Sequence, residues 1–169
     1  MLVDRDRQVP TSTIDRLCNL SLWAPNHKRT WPIRFAHCTG DGRSQLGEAF
    51  VADMISSGVG DEGKRVKTKT KYLRAPSILV IGCAPPVSMN LVADDRDAVA
   101  AGVQTLLLGA TALGLASFWS TAPVQTPASV NGLCHFPSGT RVVGVVYLGW
   151  PIDTVETPNR PPAQITHVE

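Results

Sequence analysis

The segment from Ala24 to Phe35, APNHKRTWPIRF, concentrates the side chains in this sequence that could do chemistry. An amide, an imidazole and three cations lie close together there: Asn26, His27, Lys28, Arg29 and Arg34. Together with loop amides, they could bind an anion or a flat polar ring. A solvent-exposed turn is the commoner role of a polar segment between prolines, so both interpretations stay open.

A second candidate is the triplet Trp119-Ser120-Thr121, which follows a short apolar run. An aromatic ring and two hydroxyls at the end of a strand could hold a ligand at the strand tip. The alternative for Trp119 is packing in a core. The residues alone favour that alternative, because buried aromatic side chains are common in cores.

A basic run extends from Lys64 to Arg74. Its cations are Lys64, Arg65, Lys67, Lys69, Lys71 and Arg74. Such a run usually forms a solvated face, and phosphate is the group that it would otherwise attract. The formal net charge of the whole chain is only +2, which gives no case for nucleic acid as a partner.

The familiar motifs of side-chain catalysis are missing. The sequence contains no GxSxG, HExxH or P-loop pattern, and no GxGxxG follows a strand. Its four cysteines are widely spaced without a CxxC, which predicts neither a zinc site nor a disulfide framework. Free thiols and the lack of an apolar leader predict a cytoplasmic location. If the protein is an enzyme, a bound cofactor is expected to perform the chemistry.

The stretch from Asp94 to Pro123 organises the rest of the chain. Three aspartates suit a helix N-terminus, and residues 98–113 then carry apolar side chains on every face, which predicts a buried helix. Small residues in this helix, among them Gly102 and Gly109, are expected to let other helices approach closely. Gly114 is the expected stop. A membrane span is the alternative, since no charged residue occurs between Ala98 and Thr140. Polar residues and glycines within the stretch favour the buried helix.

Hydrophobic spacing places the other elements around this helix. Helices are predicted from a cap at Thr11, Ser12 or Thr13 to Trp23-Ala24, over Ser44–Ile55 and within Val124–Leu133, the last capped at Thr126. Strands are predicted over Pro32–Cys38, Pro76–Ala84, Leu115–Phe118 and Arg141–Gly149. The continuous apolar run Pro76–Ala84 and the short run Leu115–Phe118 are expected to be buried. The sum is one domain over residues 1–169, with four or five strands in a three-layer α/β or α+β arrangement. Residues 152–169 are expected to form an extended tail.

Four segments in this order resemble the FMN-dependent nitroreductase family, in particular its small single-domain members. They are APNHKRTWPIRF, KYLRAPSILVIGCA, DAVAAGVQTLLLGATALGLASFWST and RVVGVVYLGWP, and the similarity covers about residues 9–151. The resemblance implies an α+β fold with a mixed, mainly antiparallel sheet wrapped by helices. It also implies a homodimer with two FMN sites at the subunit interface. NADH or NADPH would donate hydride, and a nitroaromatic, quinone or similar acceptor would be reduced in turn.

The resemblance also assigns site residues by position. It implies FMN contacts from Trp23 and His27, with Pro25 and Asn26 shaping their loop. The remaining implied cofactor contacts are Trp119, Ser120 and Thr121 at the isoalloxazine and ribityl chain, Gly149 in the LG-x-P turn, and Arg160 as a phosphate-contacting cation in the C-terminal region. No protein side chain is expected to act as the catalytic group, because the chemistry would occur on the flavin.

The N-terminus departs from the family pattern. The family usually begins with an Arg-Arg-Ser-x-Arg segment that grips the FMN phosphate, whereas only Arg5 and Arg7 precede Val9-Pro10 here and neither matches it. Translation could begin upstream of Met1, the phosphate could be bound otherwise, or tight FMN binding could be lost. A non-catalytic flavin-binding protein, or a degenerate dimer of the same fold, is therefore the alternative function.

Overall fold

The computed structural model describes residues 2–154 and 158–168. The helices are α1 (Thr11–Ser21), α2 (Gly42–Ser56), α3 (Glu62–Lys71), α4 (Val92–Ala112) and α5 (Ala128–Leu133). The strands are β1 (Ile33–Cys38), β2 (Ser77–Cys83), β3 (Ala116–Ser120) and β4 (Arg141–Gly149). Every helix and strand expected from hydrophobic spacing is present, and α3 forms within the basic run.

The four strands form one sheet in the order β1-β2-β4-β3. All three pairings are antiparallel, where the resemblance implied a mixed sheet. The central strand β2 is buried along its whole length, which confirms the prediction from its continuous apolar run. Its side chains alternate between the two faces: Val80 packs in one core cluster and Leu79 in the other.

Helices cover both faces of the sheet. On one face, Phe50 of α2 and Val130 of α5 pack in the first core cluster. On the other face, Leu17 of α1 and Val103 of α4 pack in the second cluster. This three-layer α+β arrangement confirms the predicted fold class.

Helix α4 is buried on one side only. Val103 and Leu106 are fully buried, but the side chain of Leu108 is 62% exposed. The prediction of a helix buried all round is therefore wrong for the single chain, because the sheet and α1 cover only part of its circumference. Gly114 ends the helix with a φ of 75°, as expected. Among the residues described, no helix, α4 included, is long and apolar enough to cross a membrane.

The glycines of α4 bring α1 close. A Cβ added at Gly102 would lie 3.0 Å from the carbonyl oxygen of Ser21. At Gly109 it would lie 2.5 Å from Cδ2 of Leu20. The expectation that small residues in this stretch allow close helix packing is confirmed.

Three local predictions are wrong. Strand β3 is a half-open edge strand rather than a buried one, because β4 is its one neighbour among the strands that the structure describes. Phe118 is 55% exposed. Helix α1 has Pro10 at its N-cap and no side-chain cap. Helix α5 begins after Pro127, and Asp53 of α2 takes the capping role expected of Thr126.

The two ends of the chain differ. Near the N-terminus, Val3 pairs with Pro151, and the amide of Asp4 donates to the carbonyl of Trp150 at 2.9 Å. Residues 158–168 of the predicted tail are exposed and form neither helix nor strand. The tail residues 155–157 and 169 lie outside the described part.

Candidate functional site

The loop after α1 has an unusual backbone. Lys28, Arg29 and Trp31 have φ values of 59°, 53° and 51°, in the left-handed region. This conformation costs an L-amino acid about 1–2 kcal/mol per residue. Three such residues in four positions need support from elsewhere, and backbone strain of this kind concentrates at functional sites.

A chain of polar contacts supplies that support. The amide of Trp31 donates to Oδ1 of Asn26 at 3.0 Å, and Nδ2 of Asn26 donates to the Thr30 hydroxyl at 3.2 Å. The Thr30 hydroxyl in turn donates to Oδ1 of Asp95. Asp95 lies in the first turn of α4 and is only 2% exposed. The rigid central helix thus fixes the shape of the loop.

The loop presents Trp23, Pro25 and His27 outward. All three are exposed, and Trp23 reaches 86%. Trp23 also lines a shallow groove of about 400 Å³ between α1 and α4, with Leu20 and Leu113. Asn26 instead makes its hydrogen bonds within the loop. The predicted loop residues therefore divide into an outward set and an internal support.

The predicted triplet at the end of β3 divides between two cavities. Successive strand residues point to opposite faces of a sheet. Ser120 lines a cavity beside α3 together with Phe118. Trp119 lines a different cavity beside α4, together with Thr121. The three side chains of the triplet consequently cannot contact one ligand from the same side.

The first cavity, here called the Lys71 cavity, has a volume of about 260 Å³. Its lining residues are Lys71, Arg74, Phe118, Ser120 and Tyr147. The rings of Phe118 and Tyr147 lie 6.1 Å apart at an angle of 51°. Aromatic walls, one hydroxyl and two cations thus surround one space.

Burial and neighbouring positive charges both disfavour the charged form of Lys71. The Lys71 ammonium lies 5.0 Å above the ring of Tyr72. Burial lowers the pKa of Lys71, and the charges of Lys64 and Arg74 lower it further. Within the described chain, neither Lys71 nor Arg74 forms an ion pair with a carboxylate. An anionic or oxygen-rich ligand would relieve this repulsion.

The second cavity, here called the Arg141 cavity, has a volume of about 200 Å³. Its polar lining comes from Arg96, Thr121, Gln125 and Arg141, and Trp119 forms an aromatic wall. Gly144 makes the position of Trp119 possible, because a Cβ there would collide with the indole Nε1.

The last two predicted residues lie elsewhere. Gly149 is buried at the end of β4, where an added Cβ would lie 2.9 Å from Val3 and 3.0 Å from Pro76. Arg160 is exposed in the tail, and its guanidinium donates to the carbonyl of Pro158 at 2.9 Å. Neither residue lines the Lys71 cavity or the Arg141 cavity.

Sequence reasoning missed the cations of both cavities. The charge pattern favours a solvated run for Lys71 and Arg74, with phosphate binding as the alternative, and it assigns no role to Arg96 and Arg141. One signal was available for Lys71: it directly precedes Tyr72 and a fully apolar strand, so its stem had to approach the core.

Comparison with known proteins identifies the fold and its relatives. The model of the Nitroreductase family matches residues 3–150. The chain belongs to the nitroreductase family. This match confirms the predicted resemblance over nearly the whole chain. The difference from the family's N-terminal pattern at Arg5 and Arg7 is therefore a difference within the family.

Three relatives illustrate the similarity. A Bacillus subtilis protein with the provisional name NAD(P)H nitroreductase YfhC is 24% identical over 160 residues, which are 94% of this chain and 82% of the relative. A Bacteroides fragilis nitroreductase with bound FMN superimposes with a TM-score of 0.77 at 20% identity, covering 99% of this chain and 92% of that one. The FMN-dependent nitroreductase NfnB of Mycobacterium smegmatis, in complex with NADPH, gives 0.74 at 17% identity, covering 98% and 92%.

Proposed function

We propose that this nitroreductase-family protein is an FMN-dependent oxidoreductase. NADH or NADPH is the hydride donor, and a nitroaromatic, quinone or similar electron-poor ring is the acceptor, each using the same site in turn. Bound FMN supplies the capacity to accept hydride and pass it on. The observation that carries the proposal is the Lys71 cavity, where two cations that pair with no carboxylate of the described residues lie beside aromatic walls.

The residues present suit a flavin. Phe118 and Tyr147 offer apolar surface for a planar ring system. Lys71 and Arg74 can bind oxygen atoms that carry negative charge, and the Ser120 hydroxyl can donate a hydrogen bond. Lys71 would thereby stabilise negative charge on the ring side of the cofactor, because a half-buried ammonium acts through a low local dielectric.

A single chain offers only part of the site. The Lys71 cavity of about 260 Å³ is smaller than the 300–1,000 Å³ usual for ligand pockets. The loop that presents Trp23 and His27 contributes to neither cavity at β3. A second copy that packs on the exposed face of α4 and extends around the edge strand β3 would supply the missing wall from its own Trp23–His27 loop. The proposed functional form of the protein is accordingly a homodimer.

A cytoplasmic location completes the proposal. All four cysteines are free, and burial raises the pKa of Cys18 and of Cys134 to about 12. Thiols of this kind behave as small apolar side chains, as expected for a protein of a reducing compartment.

The decisive test is the absorption spectrum of the purified protein, followed by FMN titration and NADH or NADPH oxidation with a nitroaromatic acceptor. We expect flavin absorption bands and turnover. Lys71→Met, which keeps an apolar stem, should weaken FMN binding about tenfold or more, because charge-assisted hydrogen bonds contribute about 1.5–3 kcal/mol. Lys67→Met is the matched control, since Lys67 is an exposed lysine of the same helix.

The outcomes separate the two functions. A protein that is colourless and takes up no FMN excludes both flavin-based functions. Bound FMN without NAD(P)H oxidation would support the non-catalytic alternative instead. Equal FMN affinities of Lys71→Met and Lys67→Met would remove the Lys71 cavity from the proposal.

The homodimer is tested by sedimentation. Leu108→Arg should convert dimer to monomer and lower FMN affinity, because it places a charge on the exposed face of α4 that the second copy would cover. Val66→Arg is a matched control, because Val66 on α3 is 63% exposed and Leu108 is 62% exposed. A dimer unaffected by Leu108→Arg would contradict the interface.

A further inference from the structure

The Arg141 cavity has an uncompensated positive charge. Arg96 and Arg141 both line it, and none of the carboxylates in residues 2–154 and 158–168 does. The guanidinium of Arg96 lies 3.2 Å from Asp97 Oδ1 in an exposed pair, which stabilises little. Arg141 is half-buried, and its side chain forms neither an ion pair nor a hydrogen bond with any residue that the structure describes. A guanidinium in this position favours an anion.

The walls of the cavity are well fixed. The indole of Trp119 lies against the backbone of Gly144 in the neighbouring strand. The carbonyl of Gln125 accepts a hydrogen bond of 2.8 Å from the amide of Val142, which ties the loop after β3 to β4. On the helix side, the small side chain of Ala100 leaves space open. The cavity is therefore a property of the packed strands rather than of a free surface loop.

We propose that the Arg141 cavity binds a small aromatic carboxylate. The ring would lie against the indole of Trp119, and the carboxylate would bind Arg141, with Arg96 adding charge. A planar guanidinium matches the two oxygens of a carboxylate, and an indole face suits a flat ring. The volume of about 200 Å³ accommodates one ring and excludes a dinucleotide.

The Arg141 cavity and the Lys71 cavity lie on opposite sides of β3. Side chains that alternate along β3 keep Trp119 and Thr121 on one side and Phe118 and Ser120 on the other. Binding of an aromatic carboxylate therefore needs neither bound FMN nor turnover. The two proposals can fail independently.

Calorimetric titration of the purified protein with benzoate, with and without saturating FMN, tests the site. Benzoate should bind in both states. Benzamide, which lacks the charge, and acetate, which lacks the ring, should each bind about tenfold more weakly or worse, as expected for loss of one charged hydrogen bond or one ring contact. Inorganic phosphate serves as a probe for simple anion binding.

Variants locate the binding. Arg141→Met should weaken benzoate binding about tenfold or more, and Arg141→Lys should restore part of it. Arg5→Met is the charge-matched control, because Arg5 is exposed and lines neither cavity. Trp119→Leu should weaken benzoate but not acetate. If Arg141→Met does not fold, as judged by circular dichroism, Arg96→Met provides the second test.

Three results would overturn the inference. Benzoate affinity equal in Arg141→Met and Arg5→Met would place the ligand elsewhere. Phosphate or acetate binding as tight as benzoate would reduce the site to a nonselective anion site. Loss of benzoate binding on FMN saturation would make the cavity part of the flavin site. A colourless protein that still binds benzoate would reject the proposed function and keep this inference.

Discussion

Two nearly buried aspartates, Asp53 and Asp95, support different parts of the molecule. Asp53 of α2 is 3% exposed, and its carboxylate accepts hydrogen bonds from the amides of Ser129 and Val130 at 2.8 and 3.0 Å. Asp95 of α4 is 2% exposed, and its carboxylate accepts a hydrogen bond from the Thr30 hydroxyl in the strained loop. One carboxylate caps a helix, and the other holds an irregular segment.

The hydrogen-bond donor that each carboxylate binds determines which part of the molecule it stabilises. The backbone amides bound by Asp53 lie at the N-terminus of α5, where negative charge is favoured and unpaired amides would be costly. The hydroxyl bound by Asp95 belongs to a loop that would not keep three left-handed residues by itself. Asp53 therefore contributes mainly to global stability, whereas Asp95 contributes mainly to the shape of the candidate site.

The largest expected effect comes from Asp53→Ala. Removing this carboxylate leaves two backbone amides without their partner and should lower the free energy of unfolding by about 3 kcal/mol. Urea denaturation measures this change. FMN uptake by the folded fraction should match that of the wild type. A specific loss of FMN would contradict the division between the two aspartates.

Asp95→Ala should have a smaller effect on stability, about 2 kcal/mol, because it removes one hydrogen bond to a buried carboxylate. Its effect on the loop should be larger than that of Asp53→Ala. We expect faster amide hydrogen exchange over residues 26–31 and weaker FMN binding. Unchanged exchange in the loop would mean that Asp95 does not support it.

A double-mutant cycle sharpens the same comparison. Thr30→Val and Asp95→Ala should be coupled by about 1 kcal/mol, because the two side chains share a hydrogen bond. Thr30→Val and Asp53→Ala should be additive to within about 0.5 kcal/mol. Unfolding free energies of the single and double variants give both values. Equal coupling in the two cycles would refute the assigned contact.

The smallest expected effect concerns the strain itself. Lys28→Gly should raise the free energy of unfolding by about 0.5 kcal/mol, because glycine adopts the left-handed conformation without a Cβ clash but loses more chain entropy. Lys67→Gly in the middle of α3 should instead lower it by about 1 kcal/mol. A destabilising Lys28→Gly would show that the loop backbone is not strained in solution.

Local patterns predicted the elements well. The β-branched run of β4 gave the strand Arg141–Gly149 with the bounds that the structure has. The continuous apolar run gave the buried strand β2, and Gly114 marked the end of α4. These signals are local, since periodicity and backbone preferences act within a few residues. The ordered segments also predicted the nitroreductase family, which the comparison confirms.

The site was less predictable because its contacts are distant in the sequence. Asp53 is 76 and 77 positions from the amides that it caps, and Thr30 is 65 positions from Asp95. The exposure of Phe118 follows from the position of β3 at the edge of the sheet, which spacing within β3 does not reveal. The roles of Trp23, His27 and the other predicted FMN contacts stay predictions.

Residue types at short spacing were enough to predict the helices and strands, the family and the lack of a side-chain catalytic motif. Which cations lie against aromatic walls depended instead on how distant elements pack. Pairing of β3 with β4 turned Ser120 toward Lys71 and Trp119 toward Arg141. The physical reason is that the pleat fixes alternate directions along a strand, but only packing decides what lies on each side.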